Sequence, residues 1–413
     1  MPTSRPEFHN TAARRLHAIR RILVTLSLAL LLTACGGGGG GGSSDSDAAT
    51  VAPNLPDQVF DYAVELPTHY LVDARPGSYY QQAVINHDNT PVTNLTTNEG
   101  ATLGRVLFYD KNLSIDRTVS CASCHEQALG FSDANVLSEG VNDGLTRRHS
   151  MGLTNARFII GGKAFWDERA ASLEEQALQP IQDPAEMGMT LDKLERRLAK
   201  LSYYPELFEA AFGDPEITPS RVAAAIAQFI RSLVSVDSTY DQGRAQVDNF
   251  EQPFPNFTAQ ENRGKEIFLT PVQDGGGACI SCHSTEAFTN TIAGPTNNGL
   301  EKDTADDEGV CEPLGNSPDR LCGTFRVPSL RNVAVRPPYM HDGRFATLEE
   351  VLEHYSSGIK MHRNLNEVLI DKQSGEPVKL NFSDADARAL VAFLHTLTDP
   401  AMLADEKFSD PFQ

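Results

Sequence analysis

A mainly α-helical chain built as two similar halves is predicted by three observations. Cys121-Ala-Ser-Cys124-His125 recurs as Cys279-Ile-Ser-Cys282-His283. Before each copy runs a related segment, Gly104-Arg-Val-Leu-Phe108 and then Gly264-Lys-Glu-Ile-Phe268. Each half also closes on a similar amphipathic stretch, Ala227-Gln-Phe-Ile-Arg-Ser-Leu233 against Val391-Ala-Phe-Leu-His-Thr-Leu397. A duplication at this scale is read as one structural plan used twice. Alternating strand patterns are scarce, while Thr218, Thr258, Thr347, Ser172 and Ser383 mark helix starts, the last four with an acid three residues on.

The leader comes first. Arg14, Arg15, Arg20 and Arg21 precede an apolar run from Ile22 to Leu32, too short to span a bilayer. It ends in Leu32-Thr33-Ala34-Cys35, which resembles the lipobox of bacterial lipoproteins and so implies cleavage after residue 34 and acylation of Cys35. An ordinary signal peptide with a spare cysteine is the alternative. Either reading exports the chain, and the periplasm with a lipid anchor is the expectation. Residues 35–60, opening with a glycine run and Ser-Ser-Asp-Ser-Asp, form a tether without a core. Two domains are expected beyond it, 61–252 and 253–413, joined near Pro253–Phe257. The net charge of −20 argues against nucleic acid and suits basic or dipolar protein partners, or plain solubility. The membrane is then met only through the anchor.

The repeated pentapeptide carries the chemistry. Its spacing lets two thiols form thioethers to the vinyl groups of one haem, and the next residue's imidazole reaches the iron. Two copies imply two covalently held haems and two cytochrome c-like domains. A zinc site would have to recruit His125 and His283 at an unusual spacing, and thiol redox centres also use paired cysteines. Cys311 and Cys322 lie in a polar, Gly/Asp/Pro-rich loop, where an exported protein would form a loop-closing disulfide.

Further segments carry a resemblance: Leu103 to Asp110, Phe165-Trp-Asp-Glu-Arg-Ala170, Gln176 to Met187, Phe325-Arg-Val-Pro-Ser-Leu-Arg-Asn332 and Pro338-Tyr-Met-His-Asp-Gly343. With the haem motifs these resemble the bacterial di-haem cytochrome c peroxidase and MauG family over about residues 100–398. The resemblance implies that the haem on His125 meets hydrogen peroxide, with Glu186 as acid and base, Gln176 as a hydrogen-bonding neighbour and Pro180 as a pocket wall. Without it, Glu186 would read as a solvated loop acid. Trp166, the single tryptophan, matches an indole between the haems, a place it would fill as a packed aromatic too. For the haem on His283 the resemblance places Tyr355 as the second ligand. MauG carries tyrosine there and the peroxidases methionine, and Met340 or Met361 is the alternative here. Where many peroxidases carry a histidine that blocks the first iron, this chain has Val141, which cannot ligate. The family's calcium site maps to His149, Arg336 and Pro338, of which only Pro338 matches, so calcium stays open. So does a homodimer.

The remaining histidines (His69, His87, His341, His354, His362, His395) read as surface or structural. Three functions follow as expectations. The favoured one is a peroxidase drawing electrons from a small c-type cytochrome or similar donor and reducing peroxide to water. The others are a MauG-like oxidase acting on a partner protein and a tethered electron-transfer cytochrome.

Overall fold

Helices begin where the sequence supplies an acceptor for their free first-turn N–H groups. In a computed structural model describing residues 51–75, 81–290, 294–315 and 317–413, all five of the expected side chains do so. Ser172, Thr218, Thr258, Thr347 and Ser383 cap Leu173–Gln182, Pro219–Ser232, Ala259–Leu269, Leu348–Glu353 and Asp384–His395. At Thr258 and Thr347 the acid three residues on completes a reciprocal box. Glu175 turns instead to the Ala171 N–H at 2.9 Å, and Asp386 accepts the Ser383 hydroxyl at 2.8 Å. Among the described residues the strand-like pairings are isolated bridges. The leader, Cys35 and the tether up to residue 50 lie outside the described residues.

The duplication appears as two helix crossings. Asn98–Tyr109 packs on Pro219–Ser232, and Ala259–Leu269 packs on Asp384–His395. Both crossings pass through a glycine. A Cβ on Gly104 would lie 2.0 Å from the Ala225 carbonyl oxygen, and one on Gly264 would lie 1.9 Å from that of Ala389. Only a residue without a side chain lets the backbones approach so closely. One turn on, Phe108 meets Phe229 and Phe268 meets Phe393, each with ring centroids 5.2 Å apart. A third ring closes each cluster: Phe131 lies 6.1 Å from Phe108, and Phe288 lies 5.7 Å from Phe268. Offset and edge-on arrangements at these separations are favoured for aromatic pairs. The first triad lies in a cluster that also takes Met402 and Phe408, beside a larger one drawn from residues 103–230, and the second triad lies in one drawn from 240–397.

The two halves are also stitched together. Arg331, fully buried, grips Asp241 through two nitrogens (2.5 and 2.9 Å) and donates to the Glu286 carbonyl at 2.6 Å. His69 adds a contact to Asp241 at 2.9 Å, and Arg244 pairs with Glu286 at 2.7 Å. Opposed by burial, the Arg331 charge holds the Asp241 carboxyl well below the usual carboxylate range. That stabilisation is complete above the unfolded value of about 3.9 and is lost as pH falls through the lower folded value. The C-terminal tail returns to the first half, where Phe408 accepts from the Tyr109 hydroxyl (2.7 Å) and Ser409 accepts from Arg105 (2.6 Å).

The glycine crossings give a direct expectation. G104A and G264A force backbone against backbone, which the fold can relieve only by parting the helices. Each is expected to lower stability by about 2–3 kcal/mol, the cost of overpacking a filled interior. The measurement is the denaturation midpoint at unchanged m-value, and a midpoint equal to the parent's would contradict the crossing.

Candidate active site

His125 is fixed from behind. Its Nδ1 donates to the Phe131 carbonyl at 2.8 Å. A carbonyl only accepts, so the proton sits on Nδ1 and Nε2 keeps its lone pair for a ligand. Burial pushes the ring below its ordinary value, which keeps it neutral. Phe131 holds its carbonyl there with a left-handed backbone (φ 60°) and a ring locked in the aromatic cluster. The sequence reading missed Phe131 and its counterpart Phe288 (φ 53°); the signal was a phenylalanine shortly after each motif histidine.

The space in front of His125 is a cavity of about 470 Å³, within the range of small-molecule and cofactor pockets. Cys121, Cys124, His125, Trp166, Gln176, Pro180 and Glu186 all line it. The Leu173–Gln182 helix presents Leu173, Gln176, Ala177 and Pro180 to it, the spacing of one helical face. Pro180 has no N–H to give the Gln176 carbonyl, so it ends the regular hydrogen bonding of that face. The next loop is wound on one acceptor, the Asp183 carbonyl, which takes the N–H groups of Glu186 (3.1 Å), Met187 (3.1 Å) and Gly188 (2.8 Å). Val141 donates its N–H to the Glu186 carbonyl at 2.9 Å, and its aliphatic side chain is 1% exposed. Gly140 lies so close that a Cβ there would sit 2.0 Å from the Ala185 carbonyl oxygen. The Glu186 carboxyl is pushed up to about 7, first by burial and then by Asp183, with Arg169 opposing.

Trp166 stands where the halves meet. Its indole N–H donates to the His149 carbonyl at 2.8 Å, its own carbonyl accepts from the Arg326 N–H at 2.8 Å, and its ring lies edge-on to His341 at 6.4 Å. At the cavity mouth, Arg148 bridges Asp167 (2.5 Å) and Asp307 (2.7 Å). The loop closed by the Cys311–Cys322 disulfide adds Glu312 and Pro313 to the lining.

The second motif repeats the first with differences. The His283 ring is buried, which pushes it down to about 4 while the Phe288 and Pro328 carbonyls act in the opposite sense. Its Nδ1 makes no well-aligned hydrogen bond. Tyr355 does not continue the preceding α-helix. That helix ends at Glu353, and His354–Gly358 form a wider π-turn that carries Tyr355. The Tyr355 phenol accepts from the Asn298 amide at 3.2 Å, and the Met340 sulfur lies 3.6 Å from the same nitrogen. Tyr355 and Met340 are thus neighbours, whereas Met361 is 38% exposed. Burial pushes the Tyr355 phenol up to about 12. Of the histidines left over, His69, His341, His354 and His362 are buried rather than on the surface.

These donors fit a porphyrin better than the rival readings. Burial pushes the Cys121 and Cys279 thiols up to about 12 and Cys124 and Cys282 up to about 11, the opposite of a reactive thiolate. Among the described residues no group of three or more His, Cys, Asp or Glu converges as a metal cage, against zinc. A neutral imidazole facing a large cavity walled by two thiols suits a flat macrocycle.

Comparison with known proteins agrees. A family model described as di-haem cytochrome c peroxidase matches residues 98–249. The chain is 35% identical to methylamine utilization protein MauG of Methylorubrum extorquens, over 76% of this chain and 82% of that protein. It is 32% identical to cytochrome c551 peroxidase of Nitrosomonas europaea, over 72% and 79%. Among solved structures, a MauG-like protein associated with microbial copper homeostasis superposes with a TM-score of 0.66 at 31% identity, covering 78% of this chain and 96% of that one. Fold, cavity and relatives together place the chain in the di-haem cytochrome c peroxidase family, a family of oxidoreductases.

Proposed function

We propose that the chain reduces hydrogen peroxide to water at the His125 cavity, taking two electrons from a small c-type cytochrome or similar donor and two protons from solvent. The carrying observation is the convergence of His125, Gln176 and Glu186 on one cavity. Haem c, held by thioethers to Cys121 and Cys124 and by His125, would supply the redox centre there, and Cys279, Cys282 and His283 would hold a second haem, with Tyr355 as its other ligand. Glu186 takes the proton from one peroxide oxygen and returns it to the oxygen that leaves as water. A carboxyl near neutrality can do both at physiological pH. Gln176 orients the bound peroxide through its amide. Trp166 passes electrons from the second unit, since its indole touches residues of both halves. The two units are assigned to 61–252 and 253–413. Export and an acyl anchor on Cys35 complete the reading, placing the chain on the periplasmic side of a bacterial membrane.

A MauG-like oxidation of a partner protein is the second reading, favoured by Val141 and by Tyr355 lying beside Asn298. Steady-state turnover of peroxide with reduced cytochrome c separates the two, being brisk in the first and negligible in the second.

Three outcomes are expected. E186Q should lower kcat by about 10²–10⁴ with haem content unchanged. In the parent, kcat/KM should rise as pH passes through about 7, because the base must be ionised to accept the proton; E186Q should lose that limb. An electron paramagnetic resonance spectrum of the ferric protein should contain one high-spin and one low-spin haem, since Val141 cannot close the first iron; two low-spin signals would point to electron transfer alone.

A further inference from the structure

Buried arginines in this protein are normally paired. Arg148 meets Asp167 and Asp307, Arg231 meets Glu174, Arg244 meets Glu286 and Arg331 meets Asp241. Arg105, without a carboxylate, is held by the two oxygens of Ser409 at 2.6 and 3.3 Å. Arg326 and Arg336 are only half-buried and have no carboxylate in ion-pair contact, Glu168 acting on Arg326 from farther off. Arg326 offers one nitrogen to the Lys163 carbonyl at a long 3.3 Å and another to the Met151 sulfur at 2.9 Å, a weak acceptor. Arg336 reaches the Ser329 carbonyl through Nη2. The Nε of each is buried without a partner among the described residues.

Their placement points to what they await. Met151 and Gly152 are consecutive wall residues of the His125 cavity. Arg326 rests on the first, and Arg336 Nη1 lies 3.0 Å from where a Cβ on the second would stand. The two guanidiniums therefore lie along one stretch of wall, and Arg326 also lines the cavity. The Arg336 charge is felt at His149, at Arg326 and at His283 of the second motif, so it stands between the two sites. Burial pushes both arginines down to about 10, still cationic at neutral pH. A half-buried cation without a paired carboxylate is poorly compensated, and two such cations near each other repel. Such a pair calls for anions from outside the polypeptide, and guanidinium forks match carboxylates.

We infer that Arg326 and Arg336 bind the propionate carboxylates of the porphyrins, Arg326 from the His125 cavity and Arg336 at the junction with the second site. The inference rests on the haem reading above. Acting through the porphyrin edge, both are positioning residues that also set the charge around the irons.

The test uses the intact, haem-loaded protein. In R326M and R336M, haem per chain is counted by the pyridine haemochromogen spectrum and each haem is titrated for its midpoint potential. Loss of a nearby cation favours ferric over ferrous iron. Each variant is expected to keep two haems and shift one couple about tenfold toward ferric, ~59 mV for one electron, with R326K and R336K restoring part of the shift. Unchanged potentials in both Met variants, at two haems per chain, overturn the arginine assignment alone. A parent chain without haem overturns the haem reading with it. Should the Met variants fail to mature, a crystal structure of the loaded parent decides. Guanidinium nitrogens within about 3.2 Å of propionate oxygens uphold the assignment, and longer separations, or a free anion seated on the pair, overturn it.

Discussion

Two backbone-to-backbone helix crossings set the rest of this structure. Gly104 against Ala225 and Gly264 against Ala389 bring two helices of each half into contact that no side chain could share. That closeness brings Phe108 onto Phe229 and Phe268 onto Phe393, and a third ring, Phe131 or Phe288, drops into the remaining space. In the first half the backbone of that ring ends in the carbonyl that orients His125. The chain of dependence runs from a missing Cβ to the lone pair of an imidazole. Each link is short-range packing or a hydrogen bond, so an error at the crossing is carried forward undamped through a close-packed interior.

Another part of the cavity lining is built differently. One helical face supplies Gln176 and Pro180, and the proline ends regular hydrogen bonding where the loop to Glu186 must begin. That loop is wound on the Asp183 carbonyl and pressed onto Gly140, leaving the carboxyl little freedom to retreat to solvent. Its raised affinity for protons comes from that placement, with Asp183 adding like-charge repulsion. Val141, joined to that loop through the Glu186 carbonyl, is packed in the apolar cluster. Imidazole and carboxyl both line the same space.

Buried polar groups join the halves alongside shared apolar clusters, in which Met402 and Phe408 pack on Phe229 and Ala287 packs on Phe158. Asp241, Arg331 and Glu286 form a closed buried network between them, while Trp166 and Arg326 exchange a backbone hydrogen bond across the same boundary. Such pairs are costly to desolvate and strongly directional, so they fix relative position more than they add stability. A position held in this way is what an electron path between two redox centres requires.

By itself the sequence determined the helix starts, the twofold plan and the identity of the motif residues. Caps, glycines and Cys-Xaa-Xaa-Cys-His spacing act over a few residues and leave local signatures. It also pointed to Glu186, Gln176 and Trp166, though only through resemblance, because nothing local distinguishes Glu186 from other loop acids. Tertiary structure decided what depends on distant partners. Phe131 and Phe288 gained meaning only once the crossing helices enclosed them, and Tyr355 is carried by a π-turn where the helix widens. His69 and His362, set among polar residues, proved buried, and the half-buried Arg326 and Arg336 stood out only against the pairing of the buried arginines. The physical reason is common to all four cases. Capping and attachment spacing are written along the backbone, whereas burial and charge compensation belong to neighbours that folding alone brings together.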